Sequence, residues 1–268
     1  MRLVGLIFLC FFIFSCSDDP EQTFPVMEEE GMDRNLDWEP CDSYYRDIGY
    51  IYEIDDQSYL WAGEDSSWHF NITDWELNEC NLGYCLGRES FPALTKPQYE
   101  TLADVSNKYG ETQECLVLYS VNSTKVYPFE DMIRYEVINE ISDGQPLMVT
   151  YCVLADFAAV YSRVYCDNTL TFALSGYTYY EPEIRDGRDG FVLWDRDTES
   201  LWWPLIDKAI SGDLHGTQLK RHDEGSWEVL RWSEIKETYP DALVIRSNLS
   251  HPLLDNFPRL TPQQLDCD

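Results

Sequence analysis

Residues 147–165 read LMVTYCVLADFAAVYSRVY, and this stretch decides the fold class. It holds two apolar runs, 147–154 and 158–165, that are rich in β-branched and aromatic residues, as strands are. Three more runs of this kind follow between turns rich in Gly and Asp, at 170–179, 191–195 and 200–203. The pattern predicts an α+β, β-rich domain of mainly antiparallel strands with a few short helices.

The rest of the chain extends this pattern in both directions. Further short strands are predicted at 50–54, 115–121, 124–127 and 242–246. One helix is predicted from Thr95, with Pro97 in its first turn, to a glycine cap at Gly110. Two shorter helices are predicted, one from Pro128 to about Glu136 and one capped by Ser233. No internal repeat is seen.

Composition limits the classes of partner. The chain has 268 residues, of which 44% are hydrophobic and 15% aromatic, enough for one large domain or two small ones with a core. Its formal net charge is −30. A surface this negative repels phosphate, which excludes nucleic acid as a partner and argues against adsorption to anionic lipid.

The first residues resemble an export signal. An apolar run over 3–14 has the length of a signal-peptide core and falls short of the roughly 20 residues that span a membrane. Ile13-Phe14-Ser15-Cys16 resembles a bacterial lipobox, which predicts cleavage before Cys16 and acylation of its sulfur. An ordinary signal peptide or an N-terminal anchor is the alternative. Lipid on Cys16 would hold the protein at a membrane, so we expect a cell-envelope location at the outer membrane, and the cell surface is one face of that membrane that the sequence allows.

The cysteine count predicts at least one special thiol. Nine cysteines are present, and loss of Cys10 with the signal and use of Cys16 for lipid leave seven. Outside the cytoplasm these should mostly pair. Seven is odd, so at least one thiol stays free, binds something or pairs with another molecule. Cys267 is predicted to tie the C-terminal end to another segment.

Several motifs across the second half of the chain resemble a bacterial family of unassigned role, the domain of unknown function 3179. The matches, with the family pattern after each, are FPAL at 91–94 (IPAL), VYP at 126–128 with EVIN at 136–139 (AYP, HEIVND), MVTYC at 148–152 (VTYCPLC), SG at 175–176 (FGVSG), DRDTESLW at 195–202 (DRETGSLW) and AISG at 209–212 (AIAGPLAGTRL). Their shared order over more than half of the chain makes the resemblance specific.

The resemblance implies a chemical centre. The resemblance places the chemical centre at the C-x-x-C of TYCPLC. Some members of the family carry selenocysteine, which implies redox or soft-metal chemistry at this centre. Cys152 keeps the first position, whereas Ala155 stands at the second and Tyr135 replaces the family's histidine beside Glu136. Because a dithiol cycle needs its second thiol, that cycle is lost here. We therefore predict a residual thiol site at Cys152, supported by Glu136 and Tyr135, and lean against an active enzyme.

Three alternatives stay open beside this prediction. If Cys152 is the free thiol, it forms a one-cysteine redox site or binds Cu(I) together with Met148 or a histidine. The alternative is a structural Cys152, which is either a buried inert thiol or bonded in a disulfide, for instance to Cys166. The histidines His69, His215, His222 and His251 are scattered. Acidic clusters at 181–189 and 195–199 could hold Ca²⁺. The aromatic content favours a third class, a surface lipoprotein that binds carbohydrate or another small ligand on aromatic platforms. Trp202 and Trp203 are adjacent and would face opposite sides of a strand, so at most one is a platform, and Trp202, which matches the family motif, is predicted to lie in the core.

These readings divide the chain into a signal peptide (1–15), a lipidated acidic tether (16–40), an extension rich in Cys and aromatic residues (41–90), the family-like β-rich domain (91–250) and a tail (251–268).

Overall fold

The structure, a computed structural model, describes residues 43–90, 92–246 and 259–267. The predicted signal peptide, Cys16, the acidic tether and His251 lie outside these ranges. Within them, no helix is long and apolar enough to cross a membrane. Most of the regular structure is antiparallel strand, with four short α-helices, which confirms the prediction of a β-rich fold.

A three-stranded sheet forms the middle layer of the protein. We call it sheet II; its strands are β8 (Val137–Ser142), β9 (Gln145–Cys152) and β10 (Phe157–Ser162), in the order β10-β9-β8. Because side chains alternate along a strand, Met148 and Cys152 of β9 enter one core cluster, whereas Val149 and Tyr151 enter another. The two faces of sheet II therefore pack against different sheets.

Sheet IV covers the face of sheet II that carries Val149 and Tyr151. Its strands, in the order β17-β6-β7-β18-β5, are β5 (Tyr99–Thr101), β6 (Glu114–Tyr119), β7 (Thr124–Pro128), β17 (Trp227–Arg231) and β18 (Leu243–Ile245). Only β18 and β7 pair in parallel among these strands. The helices α2 (Leu102–Val105) and α4 (Trp232–Thr238) cover its far side, and α3 (Phe129–Met132) follows β7.

Sheet III covers the opposite face of sheet II. Its strands, in the order β16-β15-β14-β13-β4, are β4 (Leu82–Tyr84), β13 (Phe172–Tyr179), β14 (Gly190–Asp195), β15 (Leu201–Trp203) and β16 (Lys208–Ser211). Its side chains form the largest core cluster together with Met148 and Cys152, and both Trp202 and Trp203 are buried there. Neither tryptophan is therefore an exposed platform.

The N-terminal extension packs onto this same core. Helix α1 (Tyr44–Asp47) precedes sheet I, which is made of β1 (Ile51–Ile54), β2 (Gln57–Leu60) and β3 (Phe70–Asn71). A small hairpin, β11 (Val164–Tyr165) and β12 (Asn168–Thr169), follows sheet II. The disulfide between Cys166 and Cys267 joins the turn of this hairpin to the C-terminal segment, which confirms the predicted tie.

Polar side chains join these layers. The Asn139 side-chain amide donates to the Phe172 carbonyl and accepts from the Phe172 N–H, both at 2.8 Å, so it links β8 to β13 as a backbone pair would. Two ion pairs join the segment before β5 to the turn after β14. Arg88 binds Glu199, and Glu89 binds Arg196 at 2.6 and 2.8 Å. All four side chains are largely or fully buried.

Three sequence-based expectations are wrong in detail. The predicted helix from Thr95 to Gly110 is replaced by strand β5 and the single turn α2, because β5 pairs with β18 and Thr101 caps α2 instead. Helix α4 begins at Trp232, with Glu234 accepting the Arg231 N–H, so Ser233 lies inside the helix. Strand β8 was not predicted, although its residues carry a family motif.

Candidate functional site

The chain brings Cys152 and Glu136 together at one end of sheet II. Cys152 is the last residue of β9, and Glu136 directly precedes β8. The Glu136 carbonyl accepts from the Tyr151 N–H at 3.1 Å and from the Thr150 hydroxyl at 2.6 Å, which extends the β8–β9 pairing by one residue. Glu136 has a φ of +53°, in the left-handed region, so a turn places its carboxyl close to the Cys152 sulfur.

Cys152 is a free but buried thiol, 1% exposed. Burial raises its pKa to about 11, and the nearby Glu136 carboxylate raises it too, while backbone N–H groups of Ala155, Phe191 and Leu154 lower it. The thiol therefore stays protonated at neutral pH, whereas thiol nucleophiles act as thiolates. Tyr135 is also buried, but in the core cluster on the other side of sheet II.

Cys115 is a second free thiol, which sequence reasoning did not single out. It lies fully buried in β6, and burial raises its pKa well above the usual range. Cys166 is bonded to Cys267, so the suggested Cys152–Cys166 disulfide is wrong. Cys80 and Cys85 are disulfide-bonded as well.

Glu136 should make stability depend on pH. Burial raises the pKa of the Glu136 carboxyl from 4.5 to about 7, because the charged form is disfavoured in the core. The contribution of the protonated carboxyl to the free energy of unfolding is therefore fully present below about pH 4.5, and it is lost as the pH rises through about 7. We expect Glu136→Gln, which mimics the protonated form, to match wild type near pH 4.5 and to exceed its free energy of unfolding by about 3 kcal/mol at pH 8.

Denaturant unfolding at both pH values measures this difference. Glu130→Gln, on the exposed side of α3, is the control and should show no such change with pH. An equal effect of Glu136→Gln at both pH values would contradict the assignment.

A groove lies beside the β9–β10 turn. Two adjoining cavities of about 350 and 370 Å³ share Glu114, Phe129 and Tyr151 in their walls. The Phe129 and Tyr151 rings stack face to face, with centroids 3.9 Å apart and planes 8° apart. Phe157 and Trp227 extend the aromatic lining. We call these two cavities the aromatic groove.

Two arginines line the same groove. The guanidinium carbons of Arg185 and Arg221 lie 5.3 and 5.4 Å from the Phe157 ring centre. Arg221 donates through Nε to Asp207 at 2.8 Å. Arg185 donates through Nε and one terminal nitrogen to the carbonyls of Ala155 and Asp156. Among the described residues, the remaining terminal nitrogens of these two side chains have no hydrogen-bond partner.

The other predicted candidates do not assemble into a site. In the described part of the chain, no three His, Cys, Asp or Glu side chains come together in a way that could hold a metal ion. Asp195 is buried and accepts from the Thr198 N–H and hydroxyl and from Trp202 Nε1, all at 2.7 or 2.8 Å, so it holds a turn together. His69 binds Tyr52 and the Gly63 carbonyl.

The family model described as protein of unknown function, DUF3179, matches residues 88–252, which is more than half of the chain. The chain belongs to this family. No curated protein and no solved structure matches it. The DUF3179 region contains β5 to β18, and therefore Cys152, Glu136 and every residue of the aromatic groove.

The DUF3179 match begins at Arg88, so sheet I and β4 lie outside it. Sequence reasoning missed the groove because its residues come from seven separated segments of the chain. The one local signal was a pair of basic residues, Arg185 and Arg188, in an otherwise acidic loop.

Proposed function

We propose that this DUF3179 protein is a lipid-anchored binding protein of the cell envelope, and that its aromatic groove takes a ligand with a carboxylate and an apolar face. The observation that carries the proposal is that Arg185 and Arg221 both contact the Phe157 ring in the groove. In a chain of net charge −30, two guanidinium groups over one groove are a local exception.

The chemistry of the lining supports an acidic ligand. Guanidinium N–H groups bind carboxylates through charge-assisted hydrogen bonds, and Arg185 and Arg221 keep terminal nitrogens unbonded by protein. The stacked Phe129 and Tyr151 rings supply an apolar wall for the rest of the ligand. This arrangement favours binding over thiol catalysis, because the Cys152 thiol is buried in the core and does not line the groove.

A pair of small probes tests the groove. We expect N-acetylphenylalanine to bind with a Kd on the order of 1 mM, and its uncharged amide to bind at least tenfold more weakly, since one charge-assisted hydrogen bond is worth about 1.5–3 kcal/mol. Glucuronate and glucose form the carbohydrate arm of the same experiment. Ligand-observed NMR measures all four.

Two arginine variants locate the binding. Arg185→Gln and Arg221→Gln should each weaken N-acetylphenylalanine binding about tenfold, whereas Arg188→Gln, an equal charge change at an exposed residue outside the groove lining, should not. Binding that survives both groove variants, or no preference for the acid over the amide, would refute this function.

The lipid anchor has its own test. The proposal is supported by the lipobox-like Ile13–Cys16 and by the disulfide between Cys166 and Cys267, which fits an oxidising compartment. In cells fed an alkyne-bearing palmitate, the wild-type protein should take up the label, and Cys16→Ser should not. Labelling of the variant would place the lipid on another residue, and an unlabelled wild type would show that the protein carries no such anchor.

A thiol or soft-metal site at Cys152 is the second candidate. It is favoured by the free thiol and by the three backbone N–H groups that lower its pKa. Competition for Cu(I) against bicinchoninate tests it. Loss of one bound Cu(I) in Cys152→Ser, with retention in Cys115→Ser, would support the site, and no uptake by the wild type would exclude it.

Burial also predicts how the two thiols react. Cys115 and Cys152 are both at most 1% exposed, and only the thiolate reacts. We expect N-ethylmaleimide at pH 7.5 to modify both at least 100-fold more slowly in the folded protein than in denaturant. Peptide mass spectrometry reads each site, and rapid native labelling of Cys152 would overturn its buried placement.

A further inference from the structure

We infer that the ligand of the aromatic groove is an extended peptide that pairs with the backbone of β17 and places a carboxylate at Arg185 and Arg221. This inference rests on the proposed function and names the class of ligand for the same groove. It is carried by two strand edges that border the groove.

The first edge is β17, the outermost strand of sheet IV. The Tyr119 N–H donates to the Ser226 carbonyl, and the Trp232 N–H donates to the Gln113 carbonyl. Because hydrogen-bonded pairs recur every second residue in an antiparallel ladder, Glu228 and Leu230 also turn their backbone groups towards β6. Trp227 and Val229 therefore present their N–H and C=O groups away from the sheet, and both residues line the groove.

The second edge is the start of β10, the outermost strand of sheet II. The Val160 carbonyl accepts from the His222 N–H, and the Ser162 N–H donates to the Lys220 carbonyl. The same alternation turns the backbone groups of Ala158 outward. The segment that pairs with Val160 and Ser162 does not continue past His222, because the chain turns at Asp223–Ser226 into β17. Ala158 is thus left open, and it too lines the groove.

An extended peptide fits these edges better than a compact ligand does. Backbone N–H and C=O groups on an exposed edge recognise another strand, and adjoining pockets take alternate side chains. The side chains of Trp227 and Val229 share one face of β17, and with Phe129 and Tyr151 they border the space that one face of the added strand would fill.

Charge restricts the peptide further. Arg185 and Arg221 attract a carboxylate, either an acidic side chain or the C-terminal group. Glu114 lies in the wall shared by both cavities, and no basic side chain of the described residues is hydrogen-bonded to its carboxylate, so it repels a second acidic group there. We expect acidic groups at the Arg185 and Arg221 end only, with uncharged or basic residues towards Glu114.

Paired peptide pools test the backbone contacts. The probe is a fluorescein-labelled pool of hexapeptides, random in Val, Thr, Ile and Phe at the first four positions and ending in Glu-Glu. The matched pool carries N-methyl groups on alternate amides, which removes strand pairing and keeps the charge. By fluorescence polarisation with the full chain, we expect the methylated pool to bind at least tenfold more weakly.

A proline variant tests the strand itself. Val229→Pro removes one outward N–H and leaves the β17–β6 ladder intact, as edge strands allow. Val229→Ala is the control that shortens the side chain and keeps the N–H. We expect at least a fivefold loss of peptide binding in Val229→Pro relative to Val229→Ala, with similar melting temperatures for the two variants.

The outcomes separate the two proposals. Equal binding of the methylated and unmethylated pools, or equal binding by the two Val229 variants, would overturn strand addition while leaving an acid-binding groove. Failure of both N-acetylphenylalanine and the peptide pools to bind would remove the proposed function and this inference together. If Val229→Pro unfolds, the comparison of the methylated and unmethylated pools on the wild-type protein still tests strand addition.

Discussion

Replacing Arg196 with methionine is expected to lower the free energy of unfolding by about 3–5 kcal/mol, because it leaves the Glu89 carboxylate buried without its partner. The Glu89 and Arg196 side chains are 3% and 6% exposed, and they form two hydrogen bonds of 2.6 and 2.8 Å. Methionine keeps most of the aliphatic volume, so the loss measures the orphaned charge more than a cavity. Urea unfolding followed by tryptophan fluorescence gives the value.

The matched control is the double variant Glu89→Met and Arg196→Met. A buried ion pair gains little over apolar side chains of similar size, so the double variant should recover at least half of the stability lost in Arg196→Met. If the stability lost in the double variant equals the sum of the losses in Glu89→Met and Arg196→Met, the two residues are not directly coupled.

Loss of the Cys166–Cys267 disulfide is expected to have an effect of similar size. The bond closes a loop of 101 residues, and restricting the unfolded chain over such a length is worth about 3–4 kcal/mol. The C-terminal segment that this disulfide holds also makes two hydrogen bonds to the rest of the protein. The Asn168 side-chain amide of the hairpin donates to the Gln264 carbonyl at 2.8 Å, and the Leu260 N–H donates at 2.7 Å to the carbonyl of Asp197, in the turn after β14. Cys166→Ser should therefore unfold at clearly lower denaturant concentration.

The control compares the single variant Cys166→Ser with the double variant in which both Cys166 and Cys267 are replaced by Ser. The bond is lost in both, so their stabilities should agree within about 0.5 kcal/mol. A stability loss below about 1 kcal/mol in either variant would contradict the contribution assigned to the disulfide.

The strands of sheet II and sheet III were largely predictable from sequence. Their cores are apolar runs bounded by Gly and Asp, and β9 and β13 lie within or close to the predicted ranges. The spacing of sixteen residues between Glu136 and Cys152 does not indicate that the two residues meet. Their proximity was expected only from the family motifs that contain them. Capping residues at Thr95 and Gly110 predicted a helix where β5 lies, whereas β5 is a three-residue edge strand that its partner β18 creates.

The aromatic groove was beyond sequence reasoning for a physical reason. Arg185 sits in a turn, Arg221 follows β16 by ten residues, and both reach Phe157 only after sheets II and III are packed. The burial of Trp203 was equally hidden: adjacent residues on a strand face opposite sides, and here both sides of β15 are covered.

The amide of Asn139, which joins β8 to β13, has a consequence for resistance to proteolysis. Proteases cut transiently opened states, at rates that follow how often those states occur. Since Asn139 holds both the N–H and the carbonyl of Phe172, sheet II cannot separate from sheet III without losing two buried hydrogen bonds at once. Opening at this seam is therefore rarer than it would be without Asn139, and we expect digestion there to be correspondingly slower.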